Sequence, residues 1–590
     1  MRLNVDTEVN IDRLAIRKNV MTLGAIAKNT SGEPENVEIK LCVRFENSSE
    51  LRYLPLPITD TSFDEQGNYI GYAVLDYELD NVFWNRDLND FKVIVQAYDG
   101  REYVDVTVDN MDFNQVKEEN EYACLLENKQ IVIRRKKPVR PVKENGILFV
   151  LCSIYRIIEF LIGIVLIPLF LLDSFYVVVL GNRRMKMEVS FGGSQLKRTI
   201  LFAKWRFSYF CRWGINIASI KHMILNLAAS FLSVFSRKKS ILFMSSRRDD
   251  LTGNIAYVNE VLRERDADVL FWLEPGKTKY IKMGKIFSLA SKIAKSRVIV
   301  VDDFTPILNG IWALKKRKLV QLWHACGAFK TFGFSRIGKD GGPEQTSRNH
   351  RNYDYAMVSS SEIRRFYAEG FGIDERNVKA LGVPRTDDFF KEEYKVAIRE
   401  KLYETYPVLK DKKIVLFAPT FRGNGVGTAY YPFERFDTGK LLKTLGEDYV
   451  LIIKHHPFVK ETHPVDDKIG ERILDLSKES EINDLLFITD VLITDYSSVI
   501  FEASLLNIPM LFYAFDLEEY VVNRDFYYPF KNFVPGRIVR TQEDIADSIK
   551  SGEYGQDKIK DFKHRFFDDL DGKSSERVAD FILSLLDKQQ

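Results

Sequence analysis

The stretch LLFITDVLITDYSSVIFEASLLNIPMLFYAF, residues 485–515, decides the fold class. An apolar run ends at Thr494–Asp495, the serines Ser497 and Ser498 open a helical stretch that carries Glu502, and a second apolar run follows. Short strands that are apolar throughout and alternate with helices are typical of parallel sheets covered on both faces. The stretch therefore predicts a doubly wound α/β sheet.

The same alternation extends over about 350 residues and restarts near residue 395. The strand candidates are ILFMSS (241–246), VLFWLEP (269–275), RVIVVDD (297–303), LVQLWHA (319–325), YAMVSS (355–360) and VKALGVP (378–384), then KIVLFAPT (413–420), YVLIIKHHP (449–457), LLFITD (485–490), VLITDYSS (491–498) and IPMLFYAF (508–515). Two such blocks predict two Rossmann-like domains that face a cleft, at 241–395 and 396–590. Ligands bind at the carboxyl ends of strands in such sheets. No GxGxxG or Walker sequence is present, so neither a dinucleotide enzyme nor a P-loop NTPase is indicated.

Two further regions precede these blocks. Residues 1–130 contain segments of alternating polarity such as VEIKLCVRF and FKVIVQAYDG, which predict a β-sandwich-like accessory domain. Residues 131–240 form a basic linker followed by an apolar stretch, in which the uncharged core Phe160–Leu172 has 13 residues. That is short of the roughly 20 that a spanning helix needs, so an interfacial or re-entrant pair of helices is expected.

The charge along the chain is uneven, although its net charge is only +2. Between Gly181 and Ser240 there are 12 Lys or Arg residues and one acid, with aromatic residues interleaved. Basic and aromatic residues that flank an apolar stretch suit an anionic membrane surface, and we prefer this reading to nucleic acid. Five scattered cysteines argue for a reducing compartment, and the first residues do not resemble a signal peptide.

The first candidate for chemistry is His324, at the end of the run LVQLWHACGAFK. Histidine is the side chain best suited to accept a proton near neutral pH, and the small residues that follow allow a substrate to approach the backbone. Lys330 and Arg336 come next and could hold phosphate. A single histidine at a strand end is more often structural, so a functional role for His324 is inferred from the residues around it.

The second candidate is the pair His455–His456, where a buried strand ends at Pro457. Adjacent residues of a strand point to opposite sides, so that only one imidazole can face a cleft. We choose His456 as the imidazole that faces the cleft. The alternative, a core histidine bonded to the backbone, is about equally common at such a position.

Polar residues at the ends of other strands complete a predicted donor site. Serines at a helix start are ordinary caps, but the same geometry can hold a diphosphate. The donor-site candidates are Arg385, Thr420, Arg422, Thr494, Asp495, Ser497, Ser498 and Glu502.

At this point the sequence resembles a known family. WHACGAFK, APTFR, KHHP, TDYSSVIFEASLLNIPMLFYAFDLEEY and RDFYYPF, in this order over about residues 240–580, are similar to the CDP-glycerol glycerophosphotransferases, the teichoic acid primases and polymerases. Many members have Gly-Thr-Pro after the first histidine, where this chain has Ala325-Cys326-Gly327. The difference bears on which acceptor or polyol is used more than on the chemistry.

The resemblance implies a GT-B fold and an enzyme that transfers glycerol phosphate or ribitol phosphate from a CDP-polyol to a lipid-linked polymer, releasing CMP. It implies that His324 and His456 are the functional histidines and that Arg422, Ser497, Ser498 and Glu502 contact the donor phosphates. It also implies a place at the cytoplasmic face of the bacterial membrane, peripheral or re-entrant. In this scheme His324 takes the proton of the attacking hydroxyl, and His456 stabilises the pyrophosphate.

Three alternatives stay open at the level of sequence. A GT-B glycosyltransferase that uses a nucleotide sugar would share the fold. A membrane-bound scaffold without catalysis would have no need of histidines at strand ends, and a nucleic-acid binder is disfavoured. We predict no tightly bound cofactor and no structural metal, leave dependence on a divalent cation open, and regard a homo-oligomer as compatible with the sequence. Glycerol versus ribitol, and primase versus polymerase, are not readable from residue patterns.

Overall fold

The structure, a computed structural model, covers most of the chain in two long parts. It describes residues 7–136 and 217–587, apart from internal stretches at 18–19, 31–38, 48–49, 83–89, 99–101, 108–121, 128–129, 237–238, 276–280, 340–341, 424–427, 462, 464–469 and 480. The predicted membrane-associating segment falls mostly on residues 137–216 and therefore lies outside the described residues. Within the described parts, no helix combines the length and apolar character needed to cross a bilayer.

The N-terminal region is all-β, as predicted. Its strands are β1 (Thr7–Arg17), β2 (Val20–Asn29), β3 (Leu41–Glu46), β4 (Leu51–Leu56), β5 (Ile58–Phe63), β6 (Tyr69–Glu78), β7 (Asp90–Tyr98), β8 (Tyr103–Asp105), β9 (Tyr122–Glu127) and β10 (Gln130–Arg135). They form two antiparallel sheets, ordered β1-β2-β6-β5 and β4-β3-β7-β10-β9, with β8 paired to β7. Alternate residues such as Leu23 and Val43 point inward and meet in one core between the sheets.

The first parallel sheet follows the predicted strands closely. It consists of β11 (Ser240–Ser245), β12 (Val269–Leu273), β13 (Ser296–Val301), β14 (Lys318–Gln321), β15 (Tyr355–Val358) and β16 (Val378–Ala380). Their order is β12-β11-β13-β14-β15-β16. The central strands are buried along their length because helices cover both faces.

The second parallel sheet differs from the prediction at one candidate and adds two strands. It consists of β17 (Lys413–Phe417), β18 (Tyr449–Ile453), β19 (Ile473–Asp475), β20 (Val491–Thr494), β21 (Met510–Tyr513) and β22 (Arg537–Val539), ordered β19-β18-β17-β20-β21-β22. The candidate at 485–490 was wrong, because Ile482–Leu486 is a helical turn that leads into a bend. A short apolar run cannot by itself distinguish a strand from one buried turn of helix.

Helices connect the strands of both sheets. They are α1 (Ile217–Phe235), α2 (Gly253–Glu264), α3 (Met283–Lys295), α4 (Arg364–Phe371), α5 (Glu392–Thr405), α6 (Thr438–Leu445), α7 (Ile482–Leu486), α8 (Val499–Leu505), α9 (Leu517–Arg524), α10 (Phe530–Phe533), α11 (Gln542–Ser551), α12 (Lys558–Phe566) and α13 (Ser574–Asp587). The last helix returns to the first sheet, where Val578 and Ile582 share a core with Ile241. Asp387 holds its start by accepting hydrogen bonds from the backbone N–H groups of Ser574 and Ser575, at 2.9 and 2.8 Å.

The N-terminal β region is docked on the α/β part by polar contacts. Lys40 pairs with Asp525 at 2.8 Å, and Lys339 pairs with the other oxygen of the same carboxylate. The guanidinium of Arg365 lies 3.6 Å from the ring centre of Tyr103. These contacts join the β region to both parallel-sheet blocks, since Arg365 belongs to the first and Asp525 to the second.

Candidate active site

A cavity of about 1410 Å³ lies where strands of the two parallel sheets end. Its walls are the loops that follow β11, β13 and β14 of the first sheet and β17, β18 and β20 of the second. Of the predicted site residues, the ones that line it are His324, Lys330, Arg385, Thr420, His456, Ser497, Ser498 and Glu502. The position agrees with the rule that open α/β sheets bind ligands at their carboxyl edges.

His324 projects from the loop after β14 into this cavity. Its ring stacks on Trp323 with centroids 4.4 Å apart, and 37% of its side chain remains accessible from the cavity. Burial lowers the pKa of His324 to about 4, although the carboxylate of Asp303 opposes the shift. The imidazole is therefore neutral at physiological pH and able to accept a proton.

Asp303 is a site residue whose role sequence reasoning missed. Its Oδ1 lies 3.7 Å from His324 Nδ1, which is longer than a hydrogen bond but close enough to favour the proton on Nδ1. The free lone pair is then on Nε2. The place of Asp302–Asp303 directly after an apolar run was visible in the sequence, but the parallel pairing of β13 with β14, which brings Asp303 to His324, was not.

The loop after His324 is packed tightly against the second block. Gly327 has φ of +63°, and a Cβ there would overlap the ring of Phe501 on α8. Tyr367 donates a hydrogen bond to the carbonyl of Gly327 at 2.9 Å. The Ala-Cys-Gly sequence thus places small residues where two elements meet behind His324.

His456 follows β18 on the opposite wall. Its Nδ1 accepts a hydrogen bond from the backbone N–H of Phe458 at 3.1 Å. The neutral ring therefore carries its proton on Nε2, as a donor. Burial lowers the pKa of His456 to about 4, with help from the charges of Lys330 and Arg247.

His455 also lies in the loop after β18, but its ring packs into the core. It is 2% exposed, and its Nε2 lies 3.1 Å from Nδ1 of His463. His463 in turn lies 3.2 Å from the carbonyl of Phe436 through Nε2. His455 is thus the core histidine of the pair.

Lys330 extends into the cavity from the segment after Gly327. Burial lowers the pKa of Lys330 to about 8, and the carboxylate of Asp495 opposes this shift. Its backbone forms an isolated bridge with Phe526, directly after the Asp525 that Lys40 binds. An ammonium held in this way is suited to a phosphate oxygen.

Arg385 and Glu502 form an ion pair in the cavity wall. Arg385 Nε and Glu502 Oε2 are buried and have no hydrogen-bond partner among the described residues. Thr420 Oγ1, also in the wall, is in the same condition. Buried polar atoms without partners are uncommon in folded proteins and mark places where a ligand can bond.

Arg422, Thr494 and Asp495 lie behind the cavity wall. The Arg422 guanidinium bonds the carboxylate of Asp516 at 2.7 and 2.9 Å and that of Asp495 at 2.9 Å. Burial alone would lower the pKa of Arg422, but these two carboxylates raise it. Thr494 donates to the carbonyl of Ala418 at 2.7 Å. These groups are engaged with protein partners, so they shape the wall.

Arg336 is likewise outside the cavity lining, where it donates to the carbonyl of Arg524 at 2.9 Å. In its place the structure brings Arg247 and Arg248 to the cavity from the loop after β11. Lys454 also lines it and donates to the carbonyl of Ser477 at 2.8 Å. Sequence patterns gave no reason to single out these three cations. In the described parts of the chain, no group of three or more His, Cys, Asp or Glu residues is arranged to hold a metal ion.

Comparison with known proteins places this cavity in a family. Residues 226–584 match the family described as CDP-Glycerol:Poly(glycerophosphate) glycerophosphotransferase. The chain is 49% identical over 349 residues to the teichoic acid poly(ribitol-phosphate) polymerase of Bacillus spizizenii, covering 59% of this chain and 56% of that protein. It is 44% identical to the ribitol-phosphate polymerase TarK of Staphylococcus aureus, over 58% of this chain and 68% of that one. The chain thus spans only about half to two thirds of these relatives.

A solved structure shares the fold. The wall teichoic acid polymerase TagF superposes with a TM-score of 0.51 over 63% of this chain and 97% of that one, at 21% identity. The family match covers more than half of the chain and includes both parallel sheets and every residue of the cavity wall. The chain therefore belongs to the CDP-glycerol:poly(glycerophosphate) glycerophosphotransferase family.

Proposed function

We propose that this protein transfers a polyol phosphate from a CDP-activated donor to a teichoic-acid-type acceptor and releases CMP. The observation that carries the proposal is the placement of His324 and His456 in one cavity, with the carboxylate of Asp303 3.7 Å from His324 Nδ1 and with His456 Nδ1 accepting from the backbone N–H of Phe458. The family membership supplies the substrate class.

Ribitol phosphate is the transferred group that the relatives favour. Four relatives named for ribitol phosphate are 39–49% identical to this chain, whereas those named for glycerol phosphate are 26–32% identical. The cavity residues that contact the polyol should differ between the ribitol-phosphate and the glycerol-phosphate relatives, because specificity depends on the groups that line the pocket.

The proposed reaction is an in-line transfer. The terminal hydroxyl oxygen of the acceptor attacks the β-phosphorus of the donor, a new P–O bond forms, and the bond from that phosphorus to the bridging oxygen breaks. The electron pair leaves with CMP, and the hydroxyl proton passes to Nε2 of His324. His456 Nε2–H and the Lys330 ammonium stabilise charge on the phosphate oxygens. A general base of this kind contributes roughly 10²–10⁴-fold.

The arrangement of the two parallel sheets supports a GT-B-type pairing. We infer that block 241–395 binds the acceptor and block 396–590 binds the donor, with helix α13 joining the second block back to the first. The β domain at 1–130 would then hold the two blocks together through Lys40, Lys339 and Asp525.

A place at the membrane surface fits helix α1. Leu227, Phe231, Val234 and Phe235 are exposed at helical spacing, and the helix directly follows the basic and apolar segment 137–216. We propose peripheral binding to the anionic cytoplasmic leaflet, where a lipid-linked acceptor would be available. Co-sedimentation with phosphatidylglycerol vesicles should occur and should be lost with phosphatidylcholine vesicles; equal sedimentation with both would contradict it.

The function is tested by product release. The protein is incubated with a short poly(ribitol phosphate) acceptor and CDP-ribitol, CDP-glycerol or UDP-N-acetylglucosamine, and the released nucleotide is quantified. We expect CMP from a CDP-polyol, with CDP-ribitol the better donor, and no UDP. Release of UDP with no CMP would replace the proposal with a glycosyltransferase.

A further inference from the structure

We propose that Arg247 binds the phosphodiester that precedes the terminal polyol of the acceptor. The inference rests on the proposed function and deepens it, because it assigns a subsite for the polymer itself. Arg247 lies in the loop between β11 and α2, at the carboxyl edge of the first sheet. This edge also carries Asp303 after β13 and His324 after β14.

The charge of Arg247 is available to a ligand. Its ion pair within the described residues is with Asp303 Oδ2 at 4.0 Å, longer than a hydrogen bond, and 45% of its side chain is accessible from the cavity. The neighbouring Arg248, in contrast, donates to Thr252 of its own loop. A guanidinium with free N–H groups is the side chain best matched to two phosphate oxygens.

The position of Arg247 relative to His324 fits one polymer unit. Both side chains approach the carboxylate of Asp303, His324 at 3.7 Å and Arg247 at 4.0 Å, so that the guanidinium and the imidazole lie within about 10 Å of each other. An extended polyol bridges such a gap with its terminal hydroxyl at one end and its phosphodiester at the other. Arg247 would thereby present the hydroxyl of a chain end to His324.

The donor has other partners. His456, Ser497 and Ser498 reach the cavity from the donor block on the opposite side, and Lys330 extends towards that block, where its backbone bridges Phe526. A polyol-phosphate polymer is a polyanion, and recognition of its last phosphodiester distinguishes a chain end from a free polyol. The first sheet therefore supplies both the base and an anchor for the acceptor.

The test compares Arg247→Gln with Arg263→Gln, a matched loss of charge at an exposed position at the far end of α2. CMP release from CDP-ribitol is measured with two acceptors, a short poly(ribitol phosphate) and free ribitol. In Arg247→Gln we expect the KM for the polymer to rise about ten- to a hundredfold, as for loss of one charged hydrogen bond. The KM for the donor and for free ribitol should stay within about twofold, and Arg263→Gln should match the wild type.

Two results would overturn the inference alone. A fall in kcat without a change in polymer KM would place Arg247 on the transferring phosphate, and equal polymer KM values for the two variants would remove its role. If the wild-type protein releases no CMP with the polymer and none with free ribitol, the proposed function and this inference are both overturned. Melting curves of both variants verify that the fold is intact.

Discussion

Two arginine-containing clusters near the cavity differ in how fully they are bonded. Arg422 makes contacts of 2.7–2.9 Å with the carboxylates of Asp495 and Asp516 and also donates to the carbonyl of Thr420 at 2.6 Å. Arg247 approaches Asp303 only to 4.0 Å. The first cluster is complete without a ligand, whereas the second leaves charge and lone pairs facing the cavity.

The difference follows from the cost of burying charge. An ion pair removed from water must be bonded on all sides or it destabilises the fold. Arg422 and Asp495 are 8% and 1% exposed and meet this requirement with protein atoms. His324, Asp303 and Arg247 keep contact with the cavity and can leave bonding capacity for a substrate. The groups with complete hydrogen bonding, Arg422 and Asp495, therefore support the fold, whereas the groups with free bonding capacity are the ones proposed to meet the substrate.

The largest expected effect comes from breaking the complete cluster. Arg422→Met leaves the buried carboxylate of Asp495 and the partly buried one of Asp516 without their cation, which should lower the free energy of unfolding by about 3–5 kcal/mol. Thermal unfolding followed by circular dichroism measures this. Arg247→Gln, in the open cluster, should change stability by less than about 0.5 kcal/mol. Similar melting temperatures for the two variants would remove the distinction between the clusters.

A pH profile of activity tests whether the charge of Lys330, unlike that of Arg422, is used by the substrate. Its pKa is lowered to about 8 by burial, so the side chain is charged below pH 8 and neutral above it. The kcat/KM for the donor, which reports the free enzyme, should therefore fall as pH rises through about 8. In Lys330→Arg the fall should move to higher pH, because the guanidinium stays charged. An unchanged profile in that variant would show that another group titrates.

A smaller loss of stability is expected at Asp525, whose carboxylate is paired with two lysines but is partly exposed. Burial alone would raise the pKa of Asp525, but Lys40 and Lys339 hold it well below its usual range. Lys40→Met removes one of the two cations and should lower the free energy of unfolding by about 1–2 kcal/mol. Lys28→Met, which breaks the more exposed pair with Asp64, should cost less than Lys40→Met because surface ion pairs contribute little. A larger loss in Lys28→Met than in Lys40→Met would contradict the role of Lys40 and Asp525 in holding the two blocks together.

Much of this fold was predictable because buried parallel strands have continuous apolar sequences. The runs that became β11 and β13 were located within one or two residues. The strands β19 and β22 were missed because each has three residues and is half-exposed. The apolar run at 485–490 was misassigned because its burial arises from a helical turn.

The site was predictable to the extent that strand ends share one edge. His324, His456 and Lys330 could be placed near a cleft in this way. The partners of Arg422 could not, since Asp516 follows it by 94 residues and the contact depends on the docking of α9. The pairing of Asp303 with His324 required the order of β13 and β14, which apolar runs do not reveal.

The role of His324 is tested most directly by single-turnover CMP release from CDP-ribitol in His324→Ala, compared with the wild type and with His564→Ala at an exposed position of α12. With saturating poly(ribitol phosphate) acceptor, we predict that His324→Ala is about 10²–10⁴-fold slower than the wild type, while its Kd for CDP-ribitol is unchanged. His564→Ala should react at the wild-type rate. A wild-type rate in His324→Ala would contradict the assignment of His324 as the base.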